Sequence, residues 1–272
     1  MKLIPCTVDC IRQEPGIEGM FKMIAESAYI CYQTEVAKLP PEQFVKTILI
    51  PNKHNRALEF GTVYLELPYW QSYEITCIVS FFKQNNWSRV KFVGESTNPR
   101  WAITTNYRVI VENSLEDYLD MYMCEPTKYH EKRYCAEFIL SRGAGDDFRT
   151  HVGLSSMMES SRWCNYSKDK FGNELTFVKP YWVDDSKNIT EISDFTLETF
   201  KRQEEMYLQG AKLGMQAQQL KRILPLGIKT TLRMCGFKDA WDNFFFRRCD
   251  SHADPECQLL ANELQKQLYD KL

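Results

Sequence analysis

Apolar and polar residues alternate along several segments of the chain, and this period of two predicts β-strands. In the segment 62–69, Val63, Leu65 and Leu67 fall on one face, as in a strand that buries one side. The segment from Arg133 to Ser141 alternates in the same way. Shorter segments of similar composition predict further strands at residues 2–7, 174–178 and 228–235.

Other segments repeat their apolar residues with a period near 3.6, which predicts helices. One runs from Glu18 to Gln33 and the longest from Asp194 to Gly210. At Asp254-Pro255-Glu256, a capping acid, a proline and a further acid predict the start of a C-terminal helix. Shorter helices are predicted at residues 42–49 and just before Pro225, the latter carrying Lys221 and Arg222.

Two apolar segments, Ile75 to Gln84 and Ala102 to Glu112, have no clear period, so strands and buried helices both remain open. The polar region between them, about residues 84–100, is either an insertion or a hairpin. The strands are not separated by helices regularly enough for a doubly wound sheet. We therefore predict an α/β mixture of the α+β class in a single domain, residues 1–272.

Charge and cysteine content narrow the function classes. The 272 residues carry a net charge of -2, which argues against nucleic-acid binding but is compatible with a small anionic ligand. The ten cysteines lack paired spacing, and no C-x-x-C occurs, so no metal site is expected. The N-terminus lacks the apolar run of a signal peptide, and no segment is apolar for long enough to cross a membrane. We expect a cytoplasmic protein, with no membrane partner, whose cysteines are reduced thiols.

The most informative polar segment is Ser155 to Lys179, in which serines, an acid and Arg162 lie close together. A second polar cluster surrounds Arg248. The planar fork of arginine matches a phosphate or the carbonyl edge of a pyrimidine, and hydroxyls such as that of Ser160 add neutral donors. Ordinary surface ion pairs are the alternative for both arginines.

Other catalytic arrangements are weaker. Asp250, Ser251, His252 and Asp254 contain the residue types of a hydrolase triad, but neighbours on one turn cannot easily converge into a relay. A helix cap at Asp254 is the simpler interpretation, and His252 could instead stack on a flat cofactor. His54 is either a surface histidine or part of a site. The sequence contains neither G-x-G-x-x-G nor G-x-x-x-x-G-K, which argues against Rossmann and P-loop sites.

Several motifs resemble those of the flavin-dependent thymidylate synthases. They are the segment from Ala28 to Tyr32, the segment from Asn52 to Thr62, the stretch from Arg142 to Trp163, Ile223-Leu224-Pro225-Leu226, and the stretch from Arg248 to Ala253. The family signature is Arg-His-Arg followed by Ser-x-Arg with an aromatic residue. This chain has the second half as Ser160-Ser161-Arg162-Trp163, whereas Thr150-His151-Val152 stands at the first half. Arg149 stands one position before the first missing arginine, and a local shift could present it there.

The resemblance implies a central, mostly antiparallel sheet flanked by helices, and a homotetramer whose subunits share active sites. It also implies that FAD, NADPH and methylenetetrahydrofolate serve to methylate deoxyuridylate to thymidylate, without a cysteine nucleophile. Arg248 and Ser160 are the implied catalytic residues, Arg248 by polarising the uracil carbonyl. The implied substrate-binding residues are Asp147, Glu159, Ser160, Ser161, Arg162, Lys221 and Arg248. The implied cofactor-binding residues are Cys31, His54, Arg56, Glu59, His151, Met158, Asn243 and His252.

The altered first half of the signature leaves three functions open. The chain is a thymidylate synthase that holds its flavin with other groups, or an enzyme with a changed pyrimidine substrate or a hydroxymethyl product. The third alternative is a non-catalytic relative that only binds a pyrimidine nucleotide.

Overall fold

The structure is a computed structural model, and it describes residues 1–31, 33, 39–69, 72–94, 98–183 and 190–269. Its strands are β1 (Lys2–Ile4), β2 (Thr7–Ile11), β3 (Thr62–Pro68), β4 (Arg89–Val93), β5 (Arg100–Asn106), β6 (Arg133–Ser141), β7 (Ser155–Met158), β8 (Thr176–Val178) and β9 (Lys229–Phe237). Its α-helices are α1 (Gly16–Ile30), α2 (Pro41–Phe44), α3 (Tyr73–Gln84), α4 (Tyr107–Glu112), α5 (Glu116–Leu119), α6 (Arg142–Phe148), α7 (Thr190–Lys212), α8 (Ala217–Leu220), α9 (Lys238–Arg248) and α10 (Pro255–Tyr269).

The largest of the described sheets has four antiparallel strands in the order β2-β6-β9-β7. Its two long strands pair along their whole length, with Phe138 opposite Leu232. These two side chains are fully buried in a cluster with residues of α9 and α10, such as Phe244 and Leu260. On the opposite face, Glu137 is paired with Arg233, whose guanidinium also donates to a residue of α1. Helices therefore pack on both faces of this sheet.

A second antiparallel sheet, of order β3-β5-β4, carries the other large core. Strands β4 and β5 pair antiparallel, with Val90 opposite Ile103, so a hairpin accounts for most of the polar region at residues 84–100. Residues 95–97 of that region lie outside the described residues. A third, two-stranded sheet pairs β1 with β8 in parallel. The predicted α+β class with mainly antiparallel sheets is confirmed.

Side-chain caps explain where three of the helices begin. Ser141 ends β6, and its side chain accepts a hydrogen bond from the backbone amide of Ala144, which caps the first turn of α6. Asp254 likewise accepts from the backbone amides of Glu256 and Cys257 at the start of α10. Asn106 accepts from Val109, which turns the apolar segment from strand to helix in its middle.

Two expectations change. The short helix before Pro225 ends at Leu220, so Lys221 and Arg222 follow α8 instead of lying within it. The expectation that the cysteines are reduced thiols is wrong for one pair, because Cys135 and Cys235 form a disulfide. These residues stand directly opposite each other in the β6–β9 ladder. Among the residues that the structure describes, no helix combines the length and the apolar character needed to cross a bilayer.

Candidate nucleotide-binding site

Three basic side chains line one cavity of about 560 Å³: Arg162, Lys221 and Arg222. Its other lining residues are Met215, Gln218, Gln219 and Ile223, so none of the described residues in its wall is a carboxylate. Arg162 lies against the exposed ring of Trp163, at 5.8 Å from guanidinium carbon to ring centre. Within the described part of the chain, none of the three cations forms an ion pair. The cavity therefore combines a local charge of three with no internal neutralisation, which favours an anionic ligand.

Arg162 is carried by a tight turn that follows β7. The backbone amides of Trp163 and Cys164 donate to the carbonyl of Ser160, at 3.0 and 2.9 Å. The amide of Ser160 in turn donates to the carbonyl of Cys31 at the end of α1, at 3.0 Å. The turn is thus fixed both internally and against a second element, and Arg162 is exposed at its outer side.

Lys221 and Arg222 reach the same cavity from the end of α8. Leu220, the last residue of this helix, is fully buried beside Gly210 of α7. The amide of Lys221 donates to Ala217 at 2.9 Å and that of Arg222 to Gln219 at 3.0 Å, which continues the helical turn. The structure therefore brings together Arg162 and Lys221, which were both predicted to bind substrate. Arg222 was not among the predicted site residues, and its position directly after Lys221 was the signal for it.

Glu159, a predicted substrate-binding residue, is deeply buried, with 1% of its side chain exposed. Its Oε1 accepts from the hydroxyl of Tyr166 at 2.7 Å, and its Oε2 accepts from Nζ of Lys229 at 2.9 Å. Its backbone carbonyl accepts from Arg142 at 3.1 Å. The carboxylate is thus engaged by partners inside the protein, while Ser160 and Ser161 beside it are partly exposed.

Arg248 forms a separate cluster at the C-terminal end of α6. Its Nε donates to Nε2 of His151 at 2.9 Å, and its Nη2 donates to the carbonyl of Asp147 at 2.7 Å. Its Nη1 is the least engaged nitrogen, with Oδ2 of Asp147 at 3.8 Å. Burial lowers the pKa of His151 to about 4, and the charges of Arg248 and Arg247 add to this effect, so the imidazole stays neutral and accepts the hydrogen bond. Arg248 does not line the Arg162 cavity.

Cys31 lies directly against the Ser160 turn, because its carbonyl accepts from the amide of Ser160. The thiol of Cys31 donates to the carbonyl of Met158 at 3.5 Å. Burial raises the pKa of this thiol, and the positive charges of Arg149 and Arg56 oppose the rise. The side chains of Arg149 and Arg56 are both exposed. Arg149 also contacts Asp146 at 3.4 Å.

The remaining predicted cofactor residues are not gathered in one place. Glu59 is buried and paired with Arg108, and its carbonyl accepts from Arg133 at 2.8 Å. His54 lies on the exposed turn before it. Met158 is buried in the core beneath α6.

Of the last two predicted cofactor residues, Asn243 lies in the middle of α9 and His252 lies on the turn that follows this helix. Asn243 accepts a long hydrogen bond from Arg247. The imidazole of His252 is 93% exposed and contacts Asp250 at 2.8 Å. Their outward position leaves them available to a ligand or to a neighbouring subunit, and no contact among the described residues joins them to the Arg162 cavity.

Comparison with known proteins adds one clear relationship. The model of a family described as "Thymidylate synthase complementing protein" matches residues 131–272, just over half of the chain. Arg162, Lys221 and Arg248 all lie within the matched region, whereas Cys31, His54, Arg56 and Glu59 precede it. No curated protein matches the sequence. Among solved structures, a UMP/dUMP methylase, PolB from Streptomyces cacaoi bound with 5-Br UMP, is similar with a TM-score of 0.46 and 10% identity, over 99% of this chain and 92% of that one.

Proposed function

Because the chain belongs to the family of thymidylate synthase complementing proteins, the flavin-dependent thymidylate synthases, we propose that it methylates deoxyuridylate to thymidylate. The observation that carries this proposal is the cavity with Arg162, Lys221 and Arg222 in its wall, to which no described acidic residue contributes. A nucleotide monophosphate carries up to two negative charges on a compact group. Three fixed cations with no competing carboxylate suit that group better than they suit a neutral ligand.

In this proposal the phosphate of deoxyuridylate lies among the three cations, and the hydroxyl of Ser160 donates to the nucleotide from the adjacent turn. The uracil ring then faces Arg248, whose Nη1 donates to a ring carbonyl oxygen. Negative charge develops on that oxygen when the ring reacts, and a fixed guanidinium stabilises it. Neutral His151 orients this guanidinium without competing for its charge.

Arg248 and Arg162 belong to different clusters within one subunit. This separation supports a site assembled from more than one copy, and we propose a homotetramer with shared active sites. The exposed positions of Asn243 and His252 are compatible with a role across such an interface. Sedimentation velocity should then show a tetramer, and a stable monomer with full activity would exclude this arrangement.

The family implies FAD, whose pyrophosphate must be held without the two signature arginines. Thr150 and Val152 stand at those positions, and Val152 is 89% exposed. Arg56 and Arg149 carry exposed guanidiniums, and the positive charges of both oppose the rise in the pKa of the Cys31 thiol. We propose that these two guanidiniums hold the pyrophosphate. The flavin would supply hydride chemistry, after reduction by NADPH, while methylenetetrahydrofolate supplies the one-carbon unit.

A pair of variants tests the flavin assignment without turnover. Arg149→Ala should weaken FAD binding by about 10-fold, since it removes one charge-assisted contact of roughly 1.5–3 kcal/mol. Thr150→Arg combined with Val152→Arg should tighten it. Titration of flavin fluorescence measures both, and unchanged affinity in both variants would show that these positions do not face the flavin.

Two alternative functions are distinguished from this proposal by experiment. A nucleotide-binding protein without catalysis is favoured by the absence of charge at Thr150 and Val152. An enzyme with another pyrimidine substrate or a hydroxymethyl product would use the same phosphate cavity. We place each of these in the cytoplasm, as the sequence predicts.

One experiment separates these functions. The protein is incubated with deoxyuridylate, FAD, NADPH and methylenetetrahydrofolate, and the products are analysed by mass spectrometry. Thymidylate supports the proposal, and a hydroxymethylated nucleotide supports the changed enzyme. Binding of deoxyuridylate without FAD binding or product supports the binding protein, while absence of nucleotide binding contradicts all three.

A further inference from the structure

The turn that carries Arg162 begins at a buried carboxylate. Glu159 is the first residue after β7, and its backbone amide donates to the carbonyl of Thr231 at 2.9 Å, so it extends the sheet by one more bond. Its side chain turns inward and is almost fully buried. A buried carboxylate is unfavourable unless hydrogen bonds and an opposite charge compensate it. The partners of Glu159 therefore determine whether the start of the turn keeps this position.

Two residues supply that compensation from different elements. Lys229 is the first residue of β9, and its Nζ lies 2.9 Å from Oε2 of Glu159. Tyr166 closes the segment after the turn, and its hydroxyl donates to Oε1 at 2.7 Å. Burial raises the pKa of Tyr166, and the charge of Glu159 raises it further, so the hydroxyl keeps its proton and remains a donor. Lys229 and Tyr166 thus hold the same carboxylate from two sides.

Tyr166, at the far end of the segment that starts at Glu159, is hydrogen-bonded to α7, and α7 packs against the residue that precedes Lys221 and Arg222. The backbone amide of Tyr166 donates to the hydroxyl of Tyr207 in α7, at 3.2 Å. Tyr166, Tyr207 and Leu220 share one buried cluster, and Leu220 directly precedes Lys221. The path from the Glu159 carboxylate to the Arg162 cavity is therefore continuous through packed residues.

We propose that Lys229 and Tyr166 are positioning residues, which hold Glu159 so that the turn presents Arg162 toward the cavity formed with Lys221 and Arg222. This inference rests on the proposed nucleotide function for its ligand. Neither residue reaches the cavity wall itself. They act on the nucleotide through the turn, because a rigid turn orders Arg162 before the ligand arrives and lowers the cost of binding.

The test combines a structural readout that needs no ligand with two binding measurements. Hydrogen exchange of peptides covering residues 160–164 reports the amides of the turn, which donate to Cys31 and Ser160 in the intact arrangement. Titration calorimetry gives the affinities for deoxyuridylate and for FAD. Lys229→Met removes the cation, and Tyr166→Phe removes a single oxygen while keeping the ring in its cluster.

We expect Lys229→Met to exchange the turn amides about 10-fold faster and to bind deoxyuridylate about 10-fold more weakly, with FAD affinity within about twofold of wild type. Tyr166→Phe should shift both quantities in the same direction by a smaller factor. Lys229→Arg restores a donor and should remain near wild type. Lys201→Met is the matched control, because it removes an exposed lysine of α7 that lines neither the Arg162 cavity nor the one beside Lys229, and it should change neither quantity.

A purely structural role predicts a different pattern. It would lower the melting temperature or weaken both ligands equally, with no selective change in the turn, and that result would overturn the inference. If Lys229→Met does not fold, Tyr166→Phe alone decides by the same criteria. If the wild-type protein does not bind deoxyuridylate, the proposed function fails, and the exchange data still decide whether Lys229 and Tyr166 order the turn.

Discussion

Removing the Arg162 guanidinium is the most informative single perturbation of the proposed site. Arg162 is exposed, lines the cavity with Lys221 and Arg222, and forms no ion pair among the described residues. Arg162→Ala should therefore leave the fold unchanged, because it breaks no buried contact. It should weaken deoxyuridylate binding, because the phosphate loses one of three cationic partners.

The structure sets the size of the effect. A hydrogen bond to a charged group contributes roughly 1.5–3 kcal/mol, which corresponds to about a 10- to 150-fold change in dissociation constant. The cavity is open to solvent, and water and salt screen exposed charges, so we expect the lower part of this range, about 10- to 30-fold. The loss should shrink when the salt concentration rises, since the wild-type interaction is itself screened.

Titration calorimetry of deoxyuridylate into wild type and variant measures this change directly. The matched control is Arg202→Ala in α7, which removes the same charge from an exposed arginine whose partner is Glu198. The control should bind deoxyuridylate as wild type does. Equal affinity of Arg162→Ala and Arg202→Ala would refute the argument that the cavity cations bind the phosphate.

Three further predictions concern stability. The folded-state pKa of His151 is lowered to about 4 from its ordinary value near 6.5, so its contribution to stability is fully present above about pH 6.5 and is lost as the pH falls toward 4. The loss is at most about 3 kcal/mol. The unfolding free energy, measured with urea at several pH values, should therefore fall more steeply between pH 6.5 and 4 in wild type than in His151→Gln. Replacing both Cys135 and Cys235 with alanine should lower the unfolding free energy by about 2–4 kcal/mol, because their disulfide closes a loop with a sequence separation of 100. Equal stability of the wild-type protein with and without reductant would contradict this prediction. Asp254→Ala should cost about 1 kcal/mol through loss of the α10 cap, whereas Ser251→Ala on the same turn should be neutral in calorimetry.

Strong local patterns were sufficient for much of the fold. The strand predicted at Arg133 to Ser141 has the same bounds in the structure, because its alternation matches a sheet with one fully apolar face. The start of the C-terminal helix was also predictable, since Asp254 and Pro255 are a local signal for a helix start. Both features depend on residues that are neighbours in the sequence.

Features that depend on distant residues could not be predicted in this way. The segment from Ala102 to Glu112 changes from strand to helix at Asn106, and a continuous apolar run hides that change. The pairing of Cys135 with Cys235 follows from the register of β6 with β9, which no spacing in the sequence reveals. In each case the deciding partner comes from tertiary structure.

Part of the candidate site could likewise be predicted from the sequence, and part required the structure. Family motifs identified Arg162 and Lys221, and the structure places both on one cavity. The roles of Lys229 and Tyr166 required the structure, because their shared partner Glu159 lies inside the protein, and a motif does not show which way a carboxylate points.

The central claim is that a nucleotide phosphate binds among Arg162, Lys221 and Arg222, and a crystal structure of the protein with deoxyuridylate in its native assembly tests it most directly. We predict phosphate oxygens within hydrogen-bond distance of Arg162 and of at least one of the other two cations. Well-defined density for the nucleotide with its phosphate elsewhere, and with Arg162 in contact only with solvent, would contradict the account.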